Sequence, residues 1–239
     1  MNNIPPINII EENNFHNSWV KAIRFCYKYG TSIAFGDTNN IKYAKDSCQL
    51  ISLTRNAIQQ IINKEIHPSY PFKQINQYCD EYTRKYLKTY LQKPTEQQFV
   101  YLYFDRLVNY SNIDQLSIMK EQLQEQMQTS ITSNRCQAIT WHPEIDLKTD
   151  SPPCLQSIQI RYIGNKQVDV HWHFRSRDLI TAWQANVIAI TECINNEIIK
   201  PNDCTIARIV DYSDSLHIYD SMVDIAKEVR FVLITQWPY

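Results

Sequence analysis

The hydrophobic period of this chain changes after residue 135, and that change restricts the folds open to it. The segment QSIQIRYI alternates, with Ile158, Ile160 and Tyr162 on one side. Gly164 and Asn165 then offer a two-residue turn, after which QVDVHWHF alternates again. The second segment directs four apolar side chains to one face: Val168, Val170, Trp172 and Phe174. This pattern predicts a β-hairpin of two antiparallel strands.

Directly after the hairpin, apolar residues recur every three or four positions. They are Leu179, Trp183, Val187, Ile190, Ile194 and Ile198. This spacing predicts an amphipathic helix of about five turns, with Asp178 as its N-cap. TIARIV at residues 205–210 predicts a further strand, and the C-terminal RFVLITQWPY is expected to begin as another.

Before residue 135 the clearest apolar stripes have a helical period, whereas residues 41–66 have no clean period. NSWVKAIRFCYKYG predicts a short helix, capped by Asn17 or Ser18 and ending at Gly30. Two further stripes have helical spacing: Ile75, Tyr78, Tyr82, Tyr86 and Tyr90, and then Ile113, Leu116, Met119, Leu123 and Met127. Such stripes are typical of core-facing helices. We therefore expect an α+β fold in which residues 1–239 form one domain, with helices framing a mixed or antiparallel sheet.

Composition excludes several classes of function. With 24 basic and 25 acidic residues the net charge is -1, so there is no bulk attraction to nucleic acid or to an anionic membrane. No apolar run approaches the roughly 18 residues that span a bilayer. Only 3 glycines are present, which argues against Gly-rich phosphate loops. We expect neither nucleic acid nor membrane as a partner.

The cysteines indicate the compartment. There are 7 of them, an odd number without a repeated short spacing, and the N-terminus has no secretion-signal pattern. A reducing cytoplasm is therefore the expected location. Because the histidines and cysteines do not follow a ligand spacing, we expect no metal.

A dense polar cluster, FRSRD, stands between the hairpin and the predicted helix. Arg175 and Arg177 would repel each other there unless an anion or Asp178 lay between them. Further along, Asn186 falls on the apolar face of the predicted helix, between Trp183 and Ile190. A buried carboxamide has two donors and two acceptors, which suits the edge of a pyrimidine, although a structural asparagine bonded to backbone gives the same pattern.

Cys154 follows Pro152 and Pro153 and lies upstream of the hairpin. A cysteine becomes nucleophilic when a nearby cation stabilises its thiolate, and Arg175 comes just after the hairpin. A small core residue is the alternative reading of such a cysteine.

Together these segments resemble the thymidylate synthase family. SNRCQAITWHPEID, PPCLQ, FRSRD followed by Asn186, and HIY at 217–219 occur in the family's order and at nearly its spacing. YLYFDRL and IDQL also look like the family, so the resemblance covers about residues 99–220. Leu155, directly after the cysteine, and Phe174, the first residue of FRSRD, are similar to the shorter, archaeal-type members.

The resemblance implies a role for each matching residue. Cys154 would be the nucleophile that adds to carbon 6 of uracil, and Tyr103 would belong to the water network around the pyrimidine. Arg175 and Ser176 would bind the phosphate. Arg135 would be lent to that phosphate by the other subunit of a sheet-packed homodimer.

The same resemblance assigns the rest of the site. Asn186 would bind the uracil edge, His217 and Tyr219 the sugar hydroxyl, and Asp178 the pterin. The implied reaction is reductive methylation of dUMP to dTMP. The one-carbon unit would come from methylenetetrahydrofolate or an archaeal analogue of the tetrahydromethanopterin type, which share the pterin ring.

One element of the family pattern has no clear match here. The catalytic glutamate could be Glu65 or Glu81, and without a carboxyl group proton transfer would be slow. The missing match makes a catalytically inactive nucleotide-binding dimer one alternative. A pyrimidine-nucleotide hydroxymethylase, in which water rather than hydride attacks the exocyclic methylene, is the other, although its cytosine-using versions carry aspartate where this chain has Asn186.

Overall fold

A computed structural model describes residues 4–35, 41–99 and 101–232. The chain begins with β1 (Ile7–Glu12), α1 (Phe15–Tyr29), β2 (Thr31–Phe35), β3 (Lys42–Thr54) and α2 (Asn56–Ile62). Four helices and a short strand follow: α3 (Ile75–Asp80), α4 (Arg84–Tyr90), α5 (Tyr103–Val108), α6 (Gln115–Thr129) and β4 (Gln137–Ile139). The remainder is α7 (Pro143–Asp146), β5 (Leu155–Gly164), β6 (Gln167–Phe174), β7 (Arg177–Asp178), α8 (Trp183–Ile194), β8 (Thr205–Tyr219) and α9 (Val223–Val232).

The strands form one mixed sheet framed by helices, which confirms the expected α+β class. Its order is β1-β3-β8-β6-β5-β4, with β2 beside β3 and β7 beside β8. The pairs β1–β3, β6–β8 and β7–β8 are parallel, and the others are antiparallel. Because the end of β6 and β7 both pair in parallel with β8, the FRSRD segment runs alongside β8 in the middle of the sheet.

The two faces of the sheet differ in burial. The four apolar side chains predicted to share a face of β6 are indeed buried, and Trp19 and Trp183 lie in the same core. Burying one such large side chain stabilises the fold by roughly 1.5–3 kcal/mol. The opposite face carries half-buried or exposed side chains in register across the strands: Ile9, Leu50, Tyr212 and His173.

The predicted hairpin is β5 and β6, but its turn lies one residue later than expected. Gly164 pairs with Gln167, so the two turn residues are Asn165 and Lys166, with φ of 51° and 56°. Two successive left-handed residues give a turn whose twist matches that of the strands. Gly164 also has positive φ, 91°, which explains a glycine at this position.

The long helix begins later than the sequence predicts. Asp178 is in β7 and caps a turn rather than the helix, because its carboxylate accepts bonds from the amides of Ile180 (2.7 Å) and Thr181 (3.1 Å). The helix α8 starts at Trp183 and is buried on almost every side. One wide π-helical turn, Asn195–Ile199, continues it.

Three other expectations need correction. The N-cap of α1 is Asn14, whose side chain accepts from the amide of Asn17 at 2.9 Å. The tyrosine stripe is divided between α3, α4 and the turn that joins them, which contains Tyr82, because Thr83 caps a new helix at Arg84. The C-terminal segment begins as part of α9, not as a strand, and residues 233–239 lie outside the described range.

The predicted strand at 205–210 is present as the start of β8. The stripe at 113–127 lies on α6 except for Ile113, which is exposed and precedes the cap Asp114. Within the described ranges, no helix combines the length and the apolar character needed to cross a membrane.

Candidate active site

The hairpin places Cys154 directly beside Arg175. Leu155 pairs with Phe174 at the open end of β5 and β6, and the carbonyl of Cys154 accepts the amide hydrogen of Arg175 at 2.9 Å. Cys154 is half-buried and packs against the edge of the core. A potential nucleophile and a cation therefore leave adjacent strands at the same edge of the sheet.

The side chain of Arg175 folds back over the loop that carries the thiol. Its Nε donates to the carbonyl of Pro153 at 3.0 Å, and its Nη2 donates to that of Pro152 at 2.7 Å. Neutral carbonyls orient the guanidinium without cancelling its charge. The charge is therefore available to a thiolate or to a bound phosphate.

Tyr103, the first residue of α5, holds the same loop from the other side. Its hydroxyl accepts the amide hydrogens of Cys154 (3.2 Å) and Leu155 (3.4 Å). Burial raises the pKa of Tyr103, and the neighbouring Cys154 and Tyr101 raise it further, so the phenol stays neutral. Burial likewise raises the pKa of Tyr101, with Cys154 again contributing.

Asn186 is buried, as its place on the predicted helix implied, and its partner is a side chain. Its Nδ2 donates to the hydroxyl of Tyr78 on α3 at 2.7 Å. The hydroxyl of Tyr78 lies 3.1 Å from that of Tyr82. Burial raises the pKa of Tyr78 to about 12. The side chain of Asn186 therefore bonds to another side chain and not to the backbone, which was the structural alternative.

At the end of β8, the rings of His217 and Tyr219 lie next to each other. Their rings lie 4.6 Å apart, centroid to centroid, in an edge-to-face arrangement. Ser215 donates to Asp46 at 2.8 Å, so its oxygen can accept from Nδ1 of His217, 3.2 Å away. The Nε2 atom is then an acceptor, and in the described part of the chain nothing bonds to it. Burial lowers the pKa of His217, which keeps the ring neutral.

Asp178 lies opposite His217, its partner in the β7–β8 ladder. Besides the two amides described above, its carboxylate accepts the hydroxyl of Thr181 at 2.6 Å. Asp178 and Cys154 both contribute to raising the pKa of Tyr219, after the larger effect of burial. Asp178, Cys154 and Tyr219 therefore share one neighbourhood, and the carboxylate keeps part of its acceptor capacity.

The two arginines of FRSRD point to different environments. Arg177 is buried in an ion pair with Asp211, donates to Ser213 at 2.7 Å, and lies 4.0 Å from the ring centroid of Phe174. Asp211 also accepts from Trp183 at 2.6 Å. The anion that relieves the predicted repulsion between the arginines is thus Asp211 in the core, and Arg177 has a structural role.

A cavity of about 320 Å³ opens beside the thiol loop. Its wall includes Tyr78, Tyr82, Tyr101 and Tyr103, together with one ionisable carboxyl group, that of Glu81. Burial raises the pKa of Glu81, and Lys93 partly offsets the effect.

Of the two glutamates that the sequence offered, only Glu81 lines this cavity. Glu65 is exposed, and its carboxylate accepts from the side chain of Asn63 at 3.0 Å.

Arg135 is not in the site of its own chain. It is exposed, and its nearest hydrogen-bond partner is Ser133. The neighbouring Cys136 bonds through its carbonyl to the amide of Ile160, six positions along β5 from Cys154. Six strand residues span about 20 Å. The hydroxyl of Ser176 contacts no hydrogen-bonding group among the described residues, but its place between Arg175 and β7 keeps it at the site's edge.

Tyr78, Tyr82 and Tyr101 line the cavity but are not predicted as site residues from the sequence. The helical spacing of Tyr78 and Tyr82 indicates core positions, and Tyr101 lies outside that stripe. The feature of the sequence that could have identified them is the hydroxyl group of tyrosine, which a purely apolar core position does not require. Asp46 and Ser215 gave no signal, because 169 positions separate them.

Within the ranges that the structure describes, no three histidine, cysteine, aspartate or glutamate residues form a group that could hold a metal ion. His171 contacts Asp169 at 2.9 Å, and His173 contacts Asp214 at 2.7 Å.

Comparison with known proteins shows which family this chain is similar to. A family model described as "Thymidylate synthase" matches residues 18–230. A Methanosarcina acetivorans protein named "Putative thymidylate synthase" is 25% identical over 228 residues, which are 92% of this chain and 94% of that protein. A Methanosarcina mazei protein of the same name is 25% identical over 224 residues, with coverage of 92% and 94%. Another, from Methanopyrus kandleri, is 28% identical over 141 residues, which cover 59% of this chain and 65% of that protein.

Proposed function

The chain belongs to the thymidylate synthase family, and from that premise we propose that it catalyses the reductive methylation of dUMP to dTMP. A reduced pterin, methylenetetrahydrofolate or its tetrahydromethanopterin-type analogue, would supply the one-carbon unit. The observation that carries the proposal is the position of Cys154, half-buried and bracketed by the Arg175 guanidinium and the Tyr103 hydroxyl. A thiol so placed can add to carbon 6 of a pyrimidine whose phosphate the guanidinium holds.

The nucleotide would lie with its three parts on different elements. Arg175 and Ser176 take the phosphate, because a forked guanidinium both neutralises and orients it. Nε2 of His217 accepts the sugar hydroxyl, next to the phenol of Tyr219. Asn186 takes the edge of the base from α8. Recognition is thereby divided between β6, β8 and α8, whose relative positions the core fixes.

A homodimer would complete the phosphate site. Arg135 is exposed and far along β5 from its own Cys154, so it can reach a phosphate only in another subunit. The less buried face of the sheet, with Ile9, Leu50 and Tyr212 in register, supplies a surface for that contact. An isologous dimer through this face would contain two equivalent sites.

Proton transfer at the base needs a carboxyl group, and we assign it to Glu81. This group shares the tyrosine-lined cavity with Tyr78 and Tyr103, which in turn contact Asn186 and the thiol loop. A raised pKa suits a group that must both give and take a proton near neutral pH. Asp178, beside Tyr219, would hold the pterin through its remaining acceptor capacity.

A product assay tests the proposed reaction. The purified protein is incubated with dUMP and methylenetetrahydrofolate, and in parallel with the tetrahydromethanopterin analogue. Formation of dTMP with the oxidised pterin supports a synthase. Hydroxymethyl-dUMP with the fully reduced pterin would identify a hydroxymethylase instead. Nucleotide binding with no product from either carrier would show an inactive binding protein.

A further inference from the structure

The hydrogen bond between Asn186 and Tyr78 fixes more than the position of the amide. Nδ2 of Asn186 is bonded to the phenol, whereas Oδ1 accepts no hydrogen bond from any described residue. The amide is 7% exposed, so few other groups compete for it. Whichever amide atom Tyr78 engages therefore determines which atom is left to face a ligand.

The hydroxyl of Tyr78 has one proton and two lone pairs. Tyr82 is buried, and Tyr78 is the hydrogen-bond partner of its hydroxyl among the described residues, so Tyr82 donates to the oxygen of Tyr78. The carboxyl group of Glu81 lies in the same cavity wall and contributes to raising the pKa of Tyr78, so its charge favours turning the proton of Tyr78 toward the cavity. The remaining lone pair is open only to a donor, and Nδ2 of Asn186 is that donor.

This arrangement breaks the ambiguity of a carboxamide. Rotated by 180°, an asparagine exchanges its donor and acceptor positions. Uracil presents a donor at N3 and an acceptor at O4, whereas cytosine presents an acceptor at N3 and donors at N4. With Nδ2 on Tyr78, Oδ1 and the second Nδ2 hydrogen remain, which match uracil and oppose cytosine.

We propose that Tyr78 is the positioning residue that makes Asn186 select uracil over cytosine nucleotides. The inference rests on the proposed function for its choice of ligand. The inference adds a residue to that function, because it attributes the selectivity to a phenol on α3 that need not contact the base. A site that leaves a buried donor facing a donor rejects the wrong base strongly.

The test compares dissociation constants for dUMP and dCMP, measured by calorimetry on the whole protein. Tyr78→Phe removes one oxygen and frees the amide to rotate, so the dCMP-to-dUMP ratio of dissociation constants should fall by about tenfold. Tyr86→Phe is the matched control, because its ring stacks on Tyr90 outside this chain of hydroxyls. Its ratio should equal that of the unsubstituted protein.

A general loss of packing would weaken the binding of both nucleotides equally and leave the ratio unchanged. An unchanged ratio in Tyr78→Phe therefore overturns the inference. If the parent protein still binds dUMP, the proposed function is preserved. A parent protein that binds neither nucleotide overturns both. A second measurement does not depend on the variant folding. The ¹⁵N-labelled side-chain amide of Asn186 should exchange its hydrogen slowly in deuterated buffer, and exchange as fast as a solvent-exposed asparagine would also overturn the inference.

Discussion

At the proposed base end of the site, formed by Asn186, Tyr78 and Tyr82, side chains bond to one another within a single chain. The proposed phosphate end is formed by Arg175, Ser176 and Arg135. Arg175 donates hydrogen bonds to loop carbonyls, the hydroxyl of Ser176 has no hydrogen-bond partner among the described residues, and Arg135 lies far along the sheet. The base end is preorganised, whereas the phosphate end needs a ligand and, in our proposal, a second subunit. Under the proposed function, selectivity for the base and affinity for the phosphate thus depend on different parts of the molecule.

The largest expected effect is at Cys154, which lies between the two ends. Cys154→Ser should lower turnover by at least about 10³-fold, because a hydroxyl is a far poorer nucleophile than a thiol near neutral pH. Binding of dUMP should change little, since neither end is altered. Turnover is followed by dTMP formation and binding by calorimetry. Substantial turnover in this variant would remove the proposed covalent step.

At the base end, Glu81→Gln should lower turnover by roughly 10²–10⁴-fold, because an amide cannot carry the proton. Its affinity for dUMP should stay near that of the parent protein. Glu65→Gln, outside the cavity, is the matched control and should remain active. If the two variants had equal activity, Glu81 would not be the carboxyl group of the reaction.

Behind the phosphate end, Arg177→Met should lower the free energy of unfolding by about 3–5 kcal/mol, because Asp211 would keep a buried charge without its cation. Arg175→Met, two positions away and only partly buried, should cost under about 1 kcal/mol while weakening dUMP binding. Urea unfolding of both variants gives the comparison. Equal losses of stability would contradict the different environments described for the two arginines.

The phosphate end also predicts complementation between subunits. Arg135→Ala should weaken dUMP binding by about 10-fold or more, through loss of a charge-assisted contact. Mixed with Cys154→Ala and assayed at dUMP concentrations too low to fill the Arg135→Ala sites, it should reach about a quarter of the parent activity, because half of the dimers would hold one intact site. No recovery after verified subunit exchange would count against an arginine acting in trans.

The smallest effect concerns stability and pH. The pKa of Glu81 is raised by burial, so its ionisation opposes folding once the pH exceeds the ordinary glutamate value of 4.5. Glu81→Gln should therefore raise the Tm near neutral pH, and the gain should vanish as the pH falls below that value. It should be smaller than the roughly 2–4 °C that 1 kcal/mol produces in a domain of this size, because the half-exposed carboxyl group is screened. A gain that grew on acidification would reverse the sign of the shift.

The hairpin, the start of β8, α6 and the apolar face of β6 all followed from the sequence, because each depends on a local period of two or near four residues. Where a neighbouring element intervened, local reasoning erred. The helix α8 starts at Trp183, later than predicted, because the carboxylate oxygens of Asp178 accept hydrogen bonds within a turn beside β8. The turn of the hairpin moved to Asn165 and Lys166 because pairing continues to Gly164.

The sequence by itself determined the fold class, the core faces and the order of motifs in which Cys154, Arg175 and Asn186 stand. Only the tertiary structure decided that Arg177 turns inward to Asp211 and that Tyr78 holds Asn186 across 108 positions. It also placed Glu81 rather than Glu65 beside the tyrosines. The reason is physical: a period reports which face of an element is apolar, whereas the partner of a buried polar group depends on how separate elements pack together.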